Sequence, residues 1–121
     1  MTSKRADRKN KGKPRMDLIP LDLLVGLARV LEYGESKYPT DDGSQNWRKG
    51  APAQEQIASI LRHLAPIISY YHQPNADSNL LRDEESGLPH IDHILFNCIS
   101  LRLALEYEAD LPRDPVREED E

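Results

Sequence analysis

Glu32 and Glu35 stand three residues apart in the stretch LEYGESKYPTDDGSQNWRKG, which spans residues 31–50. On a helix that spacing puts both carboxylates on one face, about a turn apart, where they repel unless a cation lies between them. Asp83, Glu85 and Asp92 supply further carboxylates, and His63, His90 and His93 supply imidazoles from later in the chain. An oxygen-rich set of this kind suits Mg²⁺ or Mn²⁺ better than a soft metal. Lys13, Arg15, Lys37, Arg48, Lys49 and Arg62 fall near helix ends, where a polyphosphate could be held. Metal between carboxylates with cations outside is a layout for phosphoryl chemistry. The ions would neutralise phosphate charge and lower the pKa of a bound water that a carboxylate orients, with no residue nucleophile required.

Three helices must position these groups. Leu23, Leu24, Leu27, Val30, Leu31 and Gly34 recur at helical spacing and predict a first helix from about Leu21 to Lys37, ended by Tyr38-Pro39. Asp41, Asp42, Gly43 and Ser44 then form a turn that returns the chain through Asn46 and Trp47. Pro52 and Ala53 open a second helix whose apolar stripe is Ile57, Ile60, Leu61, Leu64, Ile67, Ile68 and Tyr71. Pro66 inside it deprives the Arg62 carbonyl of its partner and predicts a kink beside Arg62 and His63. His72 to Leu81 has the composition of a loop. Ser86, Gly87 and Pro89 suit the start of a third helix running to about Glu108. Its apolar stripe is Ile91, Ile94, Leu95, Cys98, Leu101 and Leu105, with His90, His93 and Asn97 along one edge of the core. Trp47 is either a surface on which a base stacks or an anchor that covers the bundle end.

The 121 residues, 38% hydrophobic, support one modest core and therefore one domain. The predicted organisation is a basic arm over 1–12, a helical domain over 13–108 and an acidic, disordered or surface-draped tail over 109–121. Short amphipathic helices bury their stripes best against each other and against a second copy, so the expected fold is an all-α helical bundle completed by oligomerisation. The single Cys98 cannot pair within the chain, and no apolar run approaches the roughly 20 residues that span a bilayer. A soluble cytoplasmic protein is expected. Strand alternation, Gly-rich nucleotide loops, Cys-His zinc spacings and nucleophile elbows are all absent.

Five blocks in one order, KPRMDLIPLDLL, LEYGESKY, QNWRKG, ILRHL and SGLPHIDHILFNCISL, resemble the dATP/dGTP diphosphohydrolase group of MazG-like all-α nucleoside triphosphate pyrophosphohydrolases, found in phages and bacteria. The resemblance covers roughly residues 12–108. It implies hydrolysis of dGTP and dATP between the α and β phosphates, with two or three Mg²⁺ or Mn²⁺ ions per site, in a homo-oligomer. It also implies that the dGMP released feeds 2-aminoadenine nucleotide synthesis in a phage, in the host cytoplasm. MazG-like enzymes carry E-x-x-E on one helix and E-x-x-D on another. The first matches Glu32 and Glu35; in place of the second stands His90-x-x-His93 with Asp92 between them. With the reading of the residues themselves, the expected roles are Glu32, Glu35 and His63 in catalysis, and Glu32, Glu35, Asp83, Glu85 and Asp92 as metal ligands. Lys13, Arg15, Lys37, Asn46, Trp47, Arg62, His90 and His93 would bind substrate. Two rivals come from other classes: a nucleic-acid-binding module using the basic arm, which the acidic clusters would oppose, and a purely structural oligomerisation protein.

Overall fold

The computed structural model describes residues 6–9 and 11–116. Three α-helices carry the fold: α1 over Val25–Lys37, α2 over Ala53–His72 and α3 over His90–Glu108. Among the described residues there is no β-strand, only an isolated bridge between Arg82 and Pro89, so the all-α expectation holds. Helix α3 is the central element, packing against both α2 and α1, with its largest interface on α2. None of these helices is long and apolar enough to cross a membrane.

The ends of α2 and α3 fall where the prolines place them, with Pro52 and Pro89 as N-caps. The start of α1 does not fall at Leu21. Leu21–Leu23 form a separate 3-10 turn in which the Leu23 N–H reaches the Pro20 carbonyl and the Leu24 N–H the Leu21 carbonyl. Leu24, at φ −106° and ψ 11°, then re-aims the chain before α-helical bonding begins with Ala28 N–H to Leu24 O. Helix α2 continues through Pro66.

The burial of α3 differs from the apolar ranking of its residues. His90, Asn97, Ser100 and Ala104 are the buried set, while Ile91 is 52% exposed and Cys98 lies on the surface. His90 and Asn97 can occupy that inner face because each has a partner on α2. Asn97 Nδ2 donates to Ser59 Oγ of α2 at 2.9 Å, and His90 meets His63 of α2. Ser100 and Ala104 are small enough to let the two helices approach.

The broad apolar face of α2 also divides in two. Ile60, His63, Ile67 and Tyr70 are half-buried on the side of the bundle, whereas Ile57, Leu61, Leu64, Ile68 and Tyr71 remain exposed. Those five recur at alternating spacings of four and three, the seam of a coiled coil. The core is correspondingly thin. Leu27, Val30, Ala53 and Ala104 are its buried apolar residues, and no side chain among the described residues is wholly removed from solvent.

The end of α3 ties back onto the fold. Glu108 Oε2 accepts a hydrogen bond of 2.8 Å from the Ala53 N–H, capping α2 with a charge that suits a helix N-terminus. Arg113 Nη2 donates to Glu106 Oε1 at 2.7 Å and Arg102 Nη2 to the Arg113 carbonyl at 3.0 Å, fastening the chain beyond α3 along the helix. Glu108→Ala is expected to lower stability by about 1 kcal/mol, the usual loss on deleting an N-cap acceptor. Thermal unfolding checks this, and an unchanged midpoint would show that the cap contributes nothing.

Candidate active site

A cleft of about 590 Å³ opens between α1, the 3-10 turn Asn46–Lys49, α2 and α3. That volume lies in the range of small-molecule sites. From α1 come Tyr33, Glu35 and Lys37; from the turn, Asn46 and Trp47; from α2, Arg62 and His63. Asp83 and Glu85 reach it from the loop before α3, and His93 and Asn97 from α3 itself. Segments far apart in sequence thus converge on one concave surface that carries both signs of charge.

Other expected site residues lie elsewhere. Arg15 is exposed and paired with Asp17 at 2.7 Å, and Lys13 is exposed on the same segment. Glu32 pairs with Arg29 at 3.1 Å on the outer surface of α1. Three residues of helix rotate Glu32 about 60° away from Glu35, enough to put one outside the rim and the other on it. Asp92 lies on the flank of α3 facing α1, where a Cβ added to Gly26 would collide with its carboxylate. His90 is buried behind His63 rather than lining the cleft.

The loop that presents Asp83 is tightly made. The Asp83 N–H bonds to the Leu88 carbonyl at 2.9 Å and the Gly87 N–H to the Asp83 carbonyl at 2.8 Å, closing a turn that needs Gly87 at φ +74°. Asp83 Oδ2 accepts from the Ser86 N–H at 2.9 Å and from Ser86 Oγ at 3.0 Å. Burial works against the Asp83 carboxylate, but the Ser86 bonds and the neighbouring His93 and His63 outweigh it and hold its pKa below the ordinary value. Ser86 Oγ has one proton and two lone pairs. It gives the proton to Asp83 and accepts from the Leu88 N–H at 3.1 Å, so its 2.7 Å contact with His93 is one in which Nε2–H donates. The network therefore sets the His93 tautomer. The sequence marks Ser86 only as part of a helix start; the Asp-x-x-Ser-Gly pattern is the signal by which this turn could have been found.

His63 stands between the other two imidazoles. Its ring stacks on His93 at 4.7 Å with 3° between the planes, and its Nδ1 lies 2.8 Å from His90 Nδ1. Burial pushes the pKa of His63 down, and the nearby His93 and His90 push it further. Burial also lowers that of His93, against the pull of Asp83. Both rings are therefore held neutral near pH 7.

On the opposite wall Tyr33 Oη donates to Glu85 Oε1 at 2.9 Å, and Lys37 pairs with the same carboxylate. The hydrogen bond from Lys37, then that from Tyr33, holds the Glu85 carboxyl below its ordinary pKa. Trp47 packs edge-to-face on Phe96 at 5.8 Å, with the Arg48 guanidinium 4.9 Å above its ring. Its indole Nε1 is buried with no hydrogen-bond partner.

Neutral imidazoles, carboxylates and cations gathered in a cleft of this size can bind a polyanion and orient water at it. The sequence model of the dATP/dGTP diphosphohydrolase N-terminal family matches residues 3–111. The chain belongs to that family. Nothing among curated proteins or solved structures matches it. The family read from the order of the motifs is thus borne out, and this dATP/dGTP diphosphohydrolase chain is an enzyme. The matched span takes in all three helices and every element that borders the cleft.

For this diphosphohydrolase chain the Gly87 turn gives a local prediction. Gly87→Ala places a Cβ at φ +74° and is expected to cost about 1 kcal/mol or more. Because the same turn carries Asp83 and Ser86, turnover should fall further than the lost stability explains. Urea unfolding measured beside steady-state kinetics separates the two effects, and a parent-like kcat in the folded variant would dismiss the turn as a positioning device.

Proposed function

We propose that the chain hydrolyses purine deoxynucleoside triphosphates, dGTP and dATP, adding water across the α–β phosphoanhydride to release the monophosphate and pyrophosphate. The observation that carries this reading is the convergence of Lys37 and Arg62 with Glu35 and Asp83 on one cleft in a member of this family. Lys37 and Arg62 would bind the phosphate chain, Lys37 exchanging Glu85 for a phosphate oxygen. The carboxylates expected to hold Mg²⁺ or Mn²⁺, two or three ions per site, are Glu32, Glu35, Asp83, Glu85 and Asp92. Glu35, Asp83 and Glu85 are the ones that line the cleft, and their oxygen donors fit hard divalent ions. A bound ion there neutralises phosphate charge and makes a coordinated water more acidic. Glu35 would orient the water at the phosphate, with His63 beside it on the cleft wall.

Asn46 and Trp47 would receive the purine, Asn46 by hydrogen bonding and the half-buried indole by stacking. Trp47→Ala is expected to raise KM several-fold with a smaller change in kcat. Initial-rate kinetics test it, and an unchanged KM would leave Trp47 as a packing residue alone. The motif resemblance supports a phage setting in which dGMP supplies 2-aminoadenine nucleotide synthesis in the host cytoplasm. The exposed coiled-coil seam of α2 supports a homo-oligomer.

The deciding experiment incubates the protein with each deoxynucleoside triphosphate in Mg²⁺ or Mn²⁺ and resolves monophosphate and pyrophosphate. Purine-selective release of both products is expected. No product from any nucleotide would sink the reading.

A further inference from the structure

His63, Asp83 and His90 come from three different elements, the middle of α2, the loop after it and the first residue of α3. Each offers one ligand atom, and the three atoms lie within 4.8 Å of one another. The two imidazoles aim the same nitrogen, Nδ1, at each other across 2.8 Å. Two nitrogens bound cis on an octahedral ion at the usual metal–imidazole distance stand about 3.0 Å apart, close to this separation, so a shared cation asks each ring to turn until its lone pair converges on the ion rather than asking the helices to move. Asp83 is similarly prepared: Ser86 occupies its Oδ2, while Oδ1 makes no hydrogen bond among the described residues. Ser86 and the stacked His93 ring hold the carboxylate and the His63 imidazole in place, which is what outer-sphere groups do for ligands.

We propose that His63, Asp83 and His90 form a binding centre for a first-row divalent transition ion, which shares only Asp83 with the carboxylates that line the cleft. Imidazole nitrogens favour Zn²⁺, Co²⁺ or Mn²⁺ over Mg²⁺, which demands oxygen ligands, so the affinity order is Zn²⁺ over Co²⁺ over Mn²⁺, with Mg²⁺ far behind. Three protein donors leave coordination positions free. His63 and Asp83 border the cleft, so those positions open toward it while His90 anchors the ion from behind. In this centre His63 serves as a ligand rather than as a proton acceptor. The inference deepens the hydrolase reading and takes its substrate from it, but the binding claim stands on these three residues alone.

The test uses the full chain stripped with chelator and titrated with Co²⁺, followed by calorimetry and by the visible absorption of the bound ion. A tight first equivalent per chain is expected, ahead of any weaker binding at the carboxylates. His63→Gln and His90→Asn should each weaken Co²⁺ binding at this centre at least about a hundredfold, while His72→Gln, at the exposed end of α2, keeps parent affinity. Because His90 is buried and its variant could misfold, the unmutated protein supplies a second readout. Long-range proton–nitrogen spectra of the imidazoles should show Zn²⁺ moving the Nδ1 resonances of His63 and His90, with His72 unchanged and Mg²⁺ without effect. Parent-like Co²⁺ affinity in His63→Gln, or Nδ1 resonances that ignore Zn²⁺, overturns the centre. Nucleotide hydrolysis assayed alongside separates the two ideas. Product formation without ion binding at the histidines removes the centre and leaves the hydrolase; binding without product does the reverse.

Discussion

Replacing Glu35 with glutamine is expected to reduce metal-dependent hydrolysis of dGTP at least about a hundredfold, with the thermal midpoint close to the parent's. The two halves of that expectation have separate physical grounds. Glu35 lines the cleft from α1, yet it makes no hydrogen bond or ion pair among the described residues. Glutamine keeps the shape and the helix while removing only the charge, so nothing that holds the fold is lost. What is lost is an anionic oxygen beside the phosphates, where a divalent ion or an attacking water would need it. Glu32→Gln provides the contrast. Glu32 is paired with Arg29 outside the cleft lining, and its replacement should cost far less unless a second copy brings another site to it. Steady-state rates across a Mn²⁺ titration decide the matter. A Glu35→Gln enzyme with more than a tenth of parent activity would strip Glu35 of its role.

The second large effect is expected in assembly. Leu61 and Ile68, 58% and 50% exposed on the chain alone, sit on the outer seam of α2 with Ile57, Leu64 and Tyr71. On a free surface, aspartate at both positions would be nearly neutral. If the seam is covered by a second copy, each new carboxylate must be stripped of water against an apolar partner, a cost of several kcal/mol. Burying the seam's own side chains contributes about 1.5–3 kcal/mol each before the cost of association is subtracted. The Leu61→Asp/Ile68→Asp chain should therefore be monomeric where the parent is oligomeric, by light scattering on a sizing column, and should lose much of its thermal stability. Equal masses for parent and variant would mean that the seam joins no copies.

Both effects turn on features that the sequence reveals unequally. The ends of α2 and α3 are written in Pro52 and Pro89, because a proline suits a helix start by fixing φ and lacking an N–H. The start of α1 is not so written. Leu21, Leu23 and Leu24 keep helical spacing across the break, and only the backbone at Leu24 shows where the turn gives way to the helix. Apolar ranking places α3 only in part, for a related reason: Ile94, Leu95, Leu101 and Leu105 are half-buried, while Ile91 and Cys98 are exposed. The burial of Asn97 and His90 depends on Ser59 and His63, partners on another helix that no periodicity within α3 can reveal. For the site, the types of Glu35, Lys37, Arg62, His63, Asp83 and Trp47 marked them as chemical groups. Their common cleft exists only once α1 has packed against α3, which also decides that Glu35 and not Glu32 faces it.

The bond from the Ala53 N–H to Glu108 joins the first residue of α2 to the last of α3, 55 positions further along the chain. During synthesis α2 emerges long before the carboxylate that completes its start. Until the final turn of α3 leaves the ribosome, that amide has only water to satisfy it. On the nascent chain the start of α2 therefore lacks this cap, which is among the last and longest-range contacts that synthesis permits. In the finished protein the Ala53 amide becomes a reporter: its hydrogen exchange should slow to the rate at which the end of α3 opens, so one proton at one end of the fold times the breathing of the other.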